Sequence, residues 1–383
     1  LDLTPFVNYG KENQLSIRID NPNYSSRWYT GGGIYRNVWL VKTNNINIDQ
    51  YGTFIKSSNV TKKSANIDVE IKLRNHSNKD QKISVETSIY LFNKKLSKIA
   101  QMTSSLAIIK ANGQLKINNS ISVKNPKLWG VPPTQEPNLY KAITKVFQNK
   151  KEIDSYETTF GIRDLKFDPL KGIILNGESI RLKGVNQHHD LGALGAAFNI
   201  RAAERQLEIL KEMGVNAIRM AHNPPAPELL DLTDKMGFMV INEIFDSWKK
   251  GKTPNDYHLI FSDWYEADTR AFVRRDKNHP SVIAWSFGNE VGEQYTDKEG
   301  AAIAKNLNDI VKEEDSTRPT TASMNYAKPD MPFPATMDFI SLNYQGEGIR
   351  NAPAYSHLKG IRTKPLYPDF KEKFPNKLIV SSE

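Results

Sequence analysis

After Gly161-Ile-Arg163 the texture of the chain changes, and that change limits its fold more than any other feature. Strand-like runs at 180–185, 215–220, 238–242, 282–287, 320–323, 339–343 and 378–381 alternate with amphipathic stretches. The apolar run from Val282 to Phe287 is too short for an ordinary helix and is punctuated by Gly288, so it reads as a strand covered on both faces. Before the fifth run, Ile303, Leu307, Ile310 and Val311 fall on one helical face. Strands that alternate with helices form a parallel sheet. Seven can be counted where a (β/α)8 barrel has eight, so residues 163–383 are expected to be a TIM barrel truncated after strand seven. The sequence is accordingly expected to be cut at both ends, and a barrel with two open edges to be unstable alone.

Upstream the period is two. Ile67, Val69, Ile71 and Leu73 alternate with Asp68, Glu70, Lys72 and Arg74, and Ile83, Val85, Thr87, Ile89 and Leu91 repeat the pattern. With Asn/Lys-rich turns between such runs, residues 44–162 read as an immunoglobulin-like β-sandwich. They hold no cluster of reactive side chains and are expected to orient their neighbours. Residues 1–43 read as short strands with turns. The alternation at 14–20 is stopped by Asn21-Pro22, and another strand follows the three glycines at 31–33.

Chemistry collects where the barrel strands end. Strand one runs into Asn186-Gln-His188-His189-Asp190, strand two into Arg219-Met-Ala-His222, and strand three into Glu243-Ile-Phe-Asp246-Ser-Trp248. Strand four ends in Asn289-Glu290, strand six in Asn343-Tyr344 and strand seven in Ser382-Glu383. One such His is ordinarily structural. Six strands with polar or aromatic ends at one edge are not needed for stability, and barrel enzymes place their active sites at that edge.

Glu290 and Glu383 come from strands expected to face each other, which suits the two carboxylates of a retaining glycosidase. Retention needs them ~5–5.5 Å apart, whereas inversion needs ~6.5–9.5 Å. Glu290 would protonate the leaving oxygen and then deprotonate water, while Glu383 attacks the anomeric carbon. Arg219 and Tyr344 are expected to hold Glu383 ionised. Asn289 is expected to grip the hydroxyl beside the anomeric carbon, and Trp248 or Trp285 to offer a ring face to sugar. Arg27 and Trp28 are expected to pack beneath a loop, the alternative being that this loop reaches across to the sugar.

His188 and His189 are adjacent, so in extended chain they point to opposite faces, and no His-Glu-x-x-His spacing occurs. No metal or other cofactor is expected, and with no Cys, disulfides and thiolate sites are excluded. The net charge of +9 reads as Lys spread over solvated faces, with an acidic polysaccharide as the functional alternative. No Arg-rich helix or aromatic–basic module accompanies it, which argues against nucleic acid. No apolar run approaches the ~18 residues of a membrane span, so no membrane partner is expected.

Assembled, these residues resemble family 2 glycoside hydrolases, the β-galactosidase and β-glucuronidase group, over essentially the full length. The resemblance rests on Ile180-Arg-Leu-Lys-Gly-Val-Asn186, Asn216-Ala-Ile-Arg-Met-Ala-His222 and Asn278-His-Pro-Ser-Val-Ile-Ala-Trp-Ser-Phe-Gly-Asn-Glu290. Asn125-Pro-Lys-Leu-Trp129 with Pro137-Asn-Leu-Tyr140 resembles a motif of the family's sandwich domain. The stretch 28–40 resembles the end of its jelly-roll sugar-binding domain, which implies that 1–43 are the C-terminal part of one. The resemblance implies Glu290 as acid/base and Glu383 as nucleophile, with His188, His222 and Tyr344 around the reacting sugar.

The segment from His188 to Ala197, with Phe245-Asp246-Ser-Trp248, is similar to a β-galactosidase subgroup of polysaccharide-degrading bacteria. It puts Asp246 and Trp248 among the substrate-binding residues. Where metal-activated relatives bind magnesium through Glu-Thr-His, Ile244-Phe-Asp-Ser-Trp stands here, and magnesium is not implied. The expectation is a retaining exo-acting β-galactosidase on oligo- or polysaccharides, with acidic or sulfated galactan as a source that the positive charge suits. A β-glucuronidase or β-mannosidase on the same scaffold, or a carbohydrate-binding protein without turnover, is the alternative. A periplasmic or secreted location is expected, with the cytoplasm as the alternative, and assembly into a homo-oligomer is compatible with the sequence.

Overall fold

The computed structural model describes residues 2–25, 27–28, 32–92, 96–344 and 365–383. Its first body has strands β1 (Ile46–Ser58), β2 (Ser64–Asn75), β3 (Gln81–Leu91), β4 (Ser97–Thr103), β5 (Ala107–Ile109), β6 (Gln114–Lys124), β7 (Tyr140–Gln148) and β8 (Lys151–Phe160). One sheet has the order β1-β2-β6, and the other β4-β3-β7-β8 with β5 beside β3. Alternation explains the sandwich: Ala65, Ile67, Val69, Ile71 and Leu73 are fully buried between the sheets, and the residues between them are half-buried.

The strands expected at 14–20 and after the glycines do not form. Among the described residues of 2–44 there is one 3-10 turn, Thr4–Phe6, and no strand, and Ile17, Ile19, Val38, Trp39 and Leu40 are exposed. A strand needs a neighbour to take its N–H and C=O groups, and these stretches have none among the described residues.

A second correction concerns the start of the barrel. Strands β9 (Leu165–Asp168), β10 (Gly172–Leu175) and β11 (Glu178–Ile180) form a small antiparallel sheet. The first barrel strand follows as β12 (Gly184–Gln187). Then come β13 (Ala217–Met220), β14 (Met239–Glu243), β15 (Val282–Asn289), β16 (Thr320–Met324), β17 (Ile340–Leu342) and β18 (Ile379–Ser381), all parallel and in sequential order. Around them lie α1 (Ile200–Glu212), α2 (Pro227–Met236), α3 (Phe261–Asp276), α4 (Lys298–Glu314) and α5 (Tyr367–Lys373). Asn199 caps α1 by accepting from Ala202 N at 3.0 Å. Helix α2 begins on Pro227 and ends on Gly237 at φ +76°, where any side chain would also strike Pro132.

Two apolar layers leave only one end of this half-barrel open. Outside, Val240, Val282 and Phe287 pack against Leu207, Leu230, Val273 and Leu307 of the helices. Inside, Ala217, Met239, Ile241 and Phe339 meet Ile173 and Leu175 of the small sheet and Trp129 of the sandwich. The Trp129 indole also donates to Asp234 O at 2.9 Å, which ties the sandwich to α2. The floor is therefore plugged. At the other end the sheet curls far enough for Asn186 Nδ2, on β12, to reach Ser382 O, just past β18, at 2.8 Å.

Candidate active site

Most barrel strands carry polar residues at or just beyond their last residue, so folding the parallel sheet brings those ends together. Arg219 on β13 is the hub, buried with all five of its N–H donors engaged. Nε and Nη2 grip Glu243 at 3.1 and 2.8 Å, Nη2 also reaches Asn289 Oδ1 at 2.8 Å, and Nη1 reaches Asn186 Oδ1 at 2.9 Å and Glu383 Oε1 at 2.8 Å.

Glu243 ends β14, wholly buried, and also accepts from His222 Nδ1 at 2.8 Å and Ser286 Oγ at 2.6 Å. Burial alone would raise its pKa, but Arg219, His222 and Ser286 outweigh it and hold the carboxyl below the usual range. Every lone pair facing the site is spoken for. Glu243 is thus an anchor for Arg219 and His222, a role that its place at a strand end did not reveal.

The two carboxylates of interest sit in different company. Glu383, 17% exposed, meets a cation: Arg219 at 2.8 Å, with His222 Nε2 at 3.4 Å. Glu290 takes Asn343 Nδ2 at 2.9 Å, and its direct partners among the described residues are an amide and a phenol. That phenol is Tyr344, whose hydroxyl is hydrogen-bonded to both Glu290 and Glu383. Burial, then the bond to Glu290 and the two negative charges, push the Tyr344 hydroxyl well above its ordinary pKa, so it stays protonated. Glu290 and Tyr344 both hold left-handed backbone, at φ +44° and +58°, a conformation that costs roughly 1–3 kcal/mol for residues other than glycine.

Asp246 closes one side. Asn289 Nδ2 donates to Asp246 at 3.0 Å, and Asp246 also receives Lys252 Nζ at 2.8 Å and Arg27 through two bonds of 3.0 and 2.8 Å. Burial opposes the ionised form of Asp246, yet Lys252, Arg27 and Asn289 pull its pKa down to about 2. Arg27 lies 4.8 Å from the Trp28 ring; Trp28 in turn is 4.8 Å from His188, which meets His222 edge-on at 5.1 Å. Burial and His222 hold His188 below the ordinary histidine range, so it is neutral at pH 7.

Arg27 and Trp28 therefore do not pack beneath a loop. They reach the mouth, and an arginine and a tryptophan beside three glycines were the available signal.

Two expected contacts are corrected. Trp248 and Trp285 are fully buried and present no face to a ligand. Trp248 lies under Gly288, packed on Phe261, Phe287 and Phe333, and its indole donates to Phe287 O at 2.9 Å. Trp285 points outward from the sheet, to Asp315 at 2.9 Å and Phe272. His189 faces away from His188, toward Arg36 at 3.4 Å. The structure brings together Glu290, Glu383, His188, Arg219, His222, Asp246, Asn289 and Tyr344.

Among the described residues one group of metal-capable side chains converges, Asp231, Asp234 and His279, at the base of the barrel. Two of its members are bonded to each other, His279 Nδ1 with Asp234 Oδ2 at 2.6 Å, and Asp234 Oδ1 accepts from Ser281 N at 2.9 Å. A cavity of about 1060 Å³ lies beside the mouth, between residues 32–36 and α3; Arg27, Trp28 and Asp246 border it, but neither Glu290 nor Glu383 does.

Comparison with known proteins gives consistent matches. Residues 169–367 match the TIM barrel domain of glycosyl hydrolases family 2, and residues 47–163 match a further domain described as glycosyl hydrolases family 2. Beta-galactosidase BoGH2A of Bacteroides ovatus is 41% identical over 386 aligned positions, covering 92% of this chain and 45% of that protein. A beta-glucuronidase of Bacteroides fragilis is 28% identical over 339 positions, covering 85% and 47%. The crystal structure of a glycosyl hydrolase family 2 member from Bacteroides cellulosilyticus superposes with a TM-score of 0.88 at 34% identity, covering 100% of this chain and 46% of that one. The chain thus spans less than half the length of each of these proteins.

Proposed function

This chain belongs to glycoside hydrolase family 2, and we propose that it carries the reaction centre of a retaining, exo-acting β-glycosidase that cleaves terminal β-galactosides. The observation that supports this most directly is Tyr344 between the two glutamates. Arg219 gives Glu383 a cationic partner at 2.8 Å, which suits a nucleophile, whereas Glu290 has neutral direct partners among the described residues, which suits an acid/base. Two carboxyl groups with unequal surroundings have unequal roles.

The reaction follows from that division. Glu290 gives its proton to the glycosidic oxygen while a Glu383 oxygen bonds to the anomeric carbon and the C–O bond to the leaving group breaks. Water then attacks the glycosyl-enzyme, Glu290 takes its proton, and Glu383 leaves as carboxylate. Arg219 steadies Glu383 in both steps. Asn289, its oxygen fixed by Arg219, lies where a sugar hydroxyl next to the reacting carbon would bind. The plugged floor and the rings of Trp28, His188 and His222 close the site on those sides, which supports exo action.

Galactose as the sugar is supported by the Bacteroides ovatus relative. A second reading, a β-glucuronidase, draws on the +9 charge and on the Bacteroides fragilis relative. The protein expressed from its complete gene, offered nitrophenyl β-galactoside, β-glucuronide, β-mannoside and β-glucoside with and without EDTA, is expected to hydrolyse the galactoside in both conditions. Proton NMR should show the β-anomer first. A first-formed α-anomer overturns retention, turnover of the glucuronide alone moves the sugar assignment, and no turnover at all favours a carbohydrate-binding protein.

A further inference from the structure

Beyond Glu290 the mouth carries a pair of rings that the reaction centre does not use. Tyr295 and Tyr326 lie 4.1 Å apart between centroids with planes 33° apart, and they are 51% and 46% exposed. Tyr295 closes the 3-10 turn Gly292–Tyr295 that follows Glu290, and Tyr326 stands two residues past β16. Packing a tyrosine into a core buries about 150–250 Å². Two of them left half in water against each other contribute little to folding.

Their positions are nonetheless built. Gln294 is buried, and its amide is saturated: Nε2 donates to Asn325 Oδ1 at 2.7 Å and Val291 O at 3.1 Å, while Oε1 accepts from Tyr326 N at 3.0 Å and Ala327 N at 3.1 Å. One side chain thus joins the two loops at the residues next to each ring. Lys328 Nζ sits 5.5 Å from the Tyr326 centroid. The pair springs from the rim beside Glu290: Glu290 N donates to Ser323 O at 2.8 Å, three residues before Tyr326, and Tyr295 follows Glu290 by five residues.

Placement then decides what the rings face. The sugar under attack lies over β12–β14 and β18, among Trp28, His222, Arg219 and Glu383. Glu290, at the end of β15, gives its proton to the oxygen on the far side of that sugar. The departing group therefore extends over the ends of β15 and β16, where the rings stand. We propose that Tyr295 and Tyr326 form the subsite for the leaving-group sugar, whose apolar C–H face stacks on them. This rests on the glycosidase reading of Glu290 and Glu383.

Two measurements on the protein expressed from its complete gene test it. In the Glu290→Gln background, calorimetry compares a β-linked galactose disaccharide with galactose. The disaccharide should bind more tightly, and Tyr295→Ala with Tyr326→Ala should remove a gain of about tenfold in Kd, while the corresponding Phe pair keeps it. In the active enzyme the Ala pair should lower the ratio of kcat/KM for disaccharide over methyl β-galactoside by about tenfold. If the parent shows no gain, or if either the gain or the ratio survives the Ala pair, the subsite is overturned. If no glycoside is hydrolysed but the gain is present and depends on the tyrosines, the glycosidase reading fails and the platform stands.

Discussion

At the base of the barrel Arg318 donates to the backbone oxygens of Val282 and His279 at 2.6 and 2.9 Å and pairs with Asp315 at 2.7 Å. Asp315 in turn takes the Trp285 indole, Thr317 N and Thr317 Oγ1. At the mouth Arg219 binds only side chains: Glu243, Asn289, Asn186 and Glu383. Both networks are buried arginines with carboxylates, yet the first closes on the main chain and the second runs outward to Glu383. A network that ends on backbone fixes the strand ends. One that ends on a partly exposed carboxylate holds a reactive group at a set place and charge. The histidines divide the same way, for His279 at the base is raised by Asp234 against its burial, while burial and His222 lower His188.

The largest effect should come from the open end of the mouth network. Glu383→Gln is expected to cut kcat by on the order of 10⁴–10⁶ and Glu290→Gln by roughly 10²–10⁴, the latter most on poor leaving groups. Neither should move the melting temperature far, because each group is partly open to water. Single-turnover kinetics beside a thermal melt measure both. A large loss of stability in Glu383→Gln with an ordinary kcat would place that residue with the base, as a structural partner.

Breaking each network at its closed carboxylate sharpens the contrast. Asp315→Asn takes the carboxylate from buried Arg318, and Glu243→Gln takes the more buried of the two carboxylates on Arg219, changes of a kind that costs about 3–5 kcal/mol in buried pairs. Urea melts should therefore show comparable losses. Only Glu243→Gln should also lower kcat/KM, because Arg219 and His222 then lose the anchor that aims them at Glu383. An equal fall in kcat/KM for Asp315→Asn, measured where both variants are folded, would remove the distinction between the two ends.

The alternation of strands and helices and the polar ends of six strands were legible because strands and helices differ in length and period, and because a parallel sheet puts its strand ends at one rim. What a run pairs with was not. The 165–180 region shares the apolar texture of the barrel, and only its antiparallel ladder sets it apart as a floor plug. Trp248 follows a polar turn, where no period says which way a side chain points. Arg27 meets Asp246 across 219 positions, a contact with no local signature. Glu243 looks like any other polar strand end until its three donors are seen to leave it nothing further to accept.

The smallest effect separates the two ends by pH. A histidine raised on folding contributes stability that is complete below about 6.5 and is lost as pH climbs through its folded value, so His279 should limit the alkaline side. Near the mouth the signs reverse. Burial and Arg36 hold His189 down to about 4, so the unfolded chain takes up a proton first, and roughly 2–3 kcal/mol is lost as pH falls from about 6.5 to 4. Asp246, held at about 2, adds a loss of about 2 kcal/mol between about pH 4 and 2. Melting temperatures from pH 2 to 9 should then show His189→Gln flattening the upper acid limb, Asp246→Asn the lower, and His279→Gln only the alkaline one. If His279→Gln instead flattens the acid limb, its pairing with Asp234 is not what raises it, and the base network is less closed than its hydrogen bonds imply.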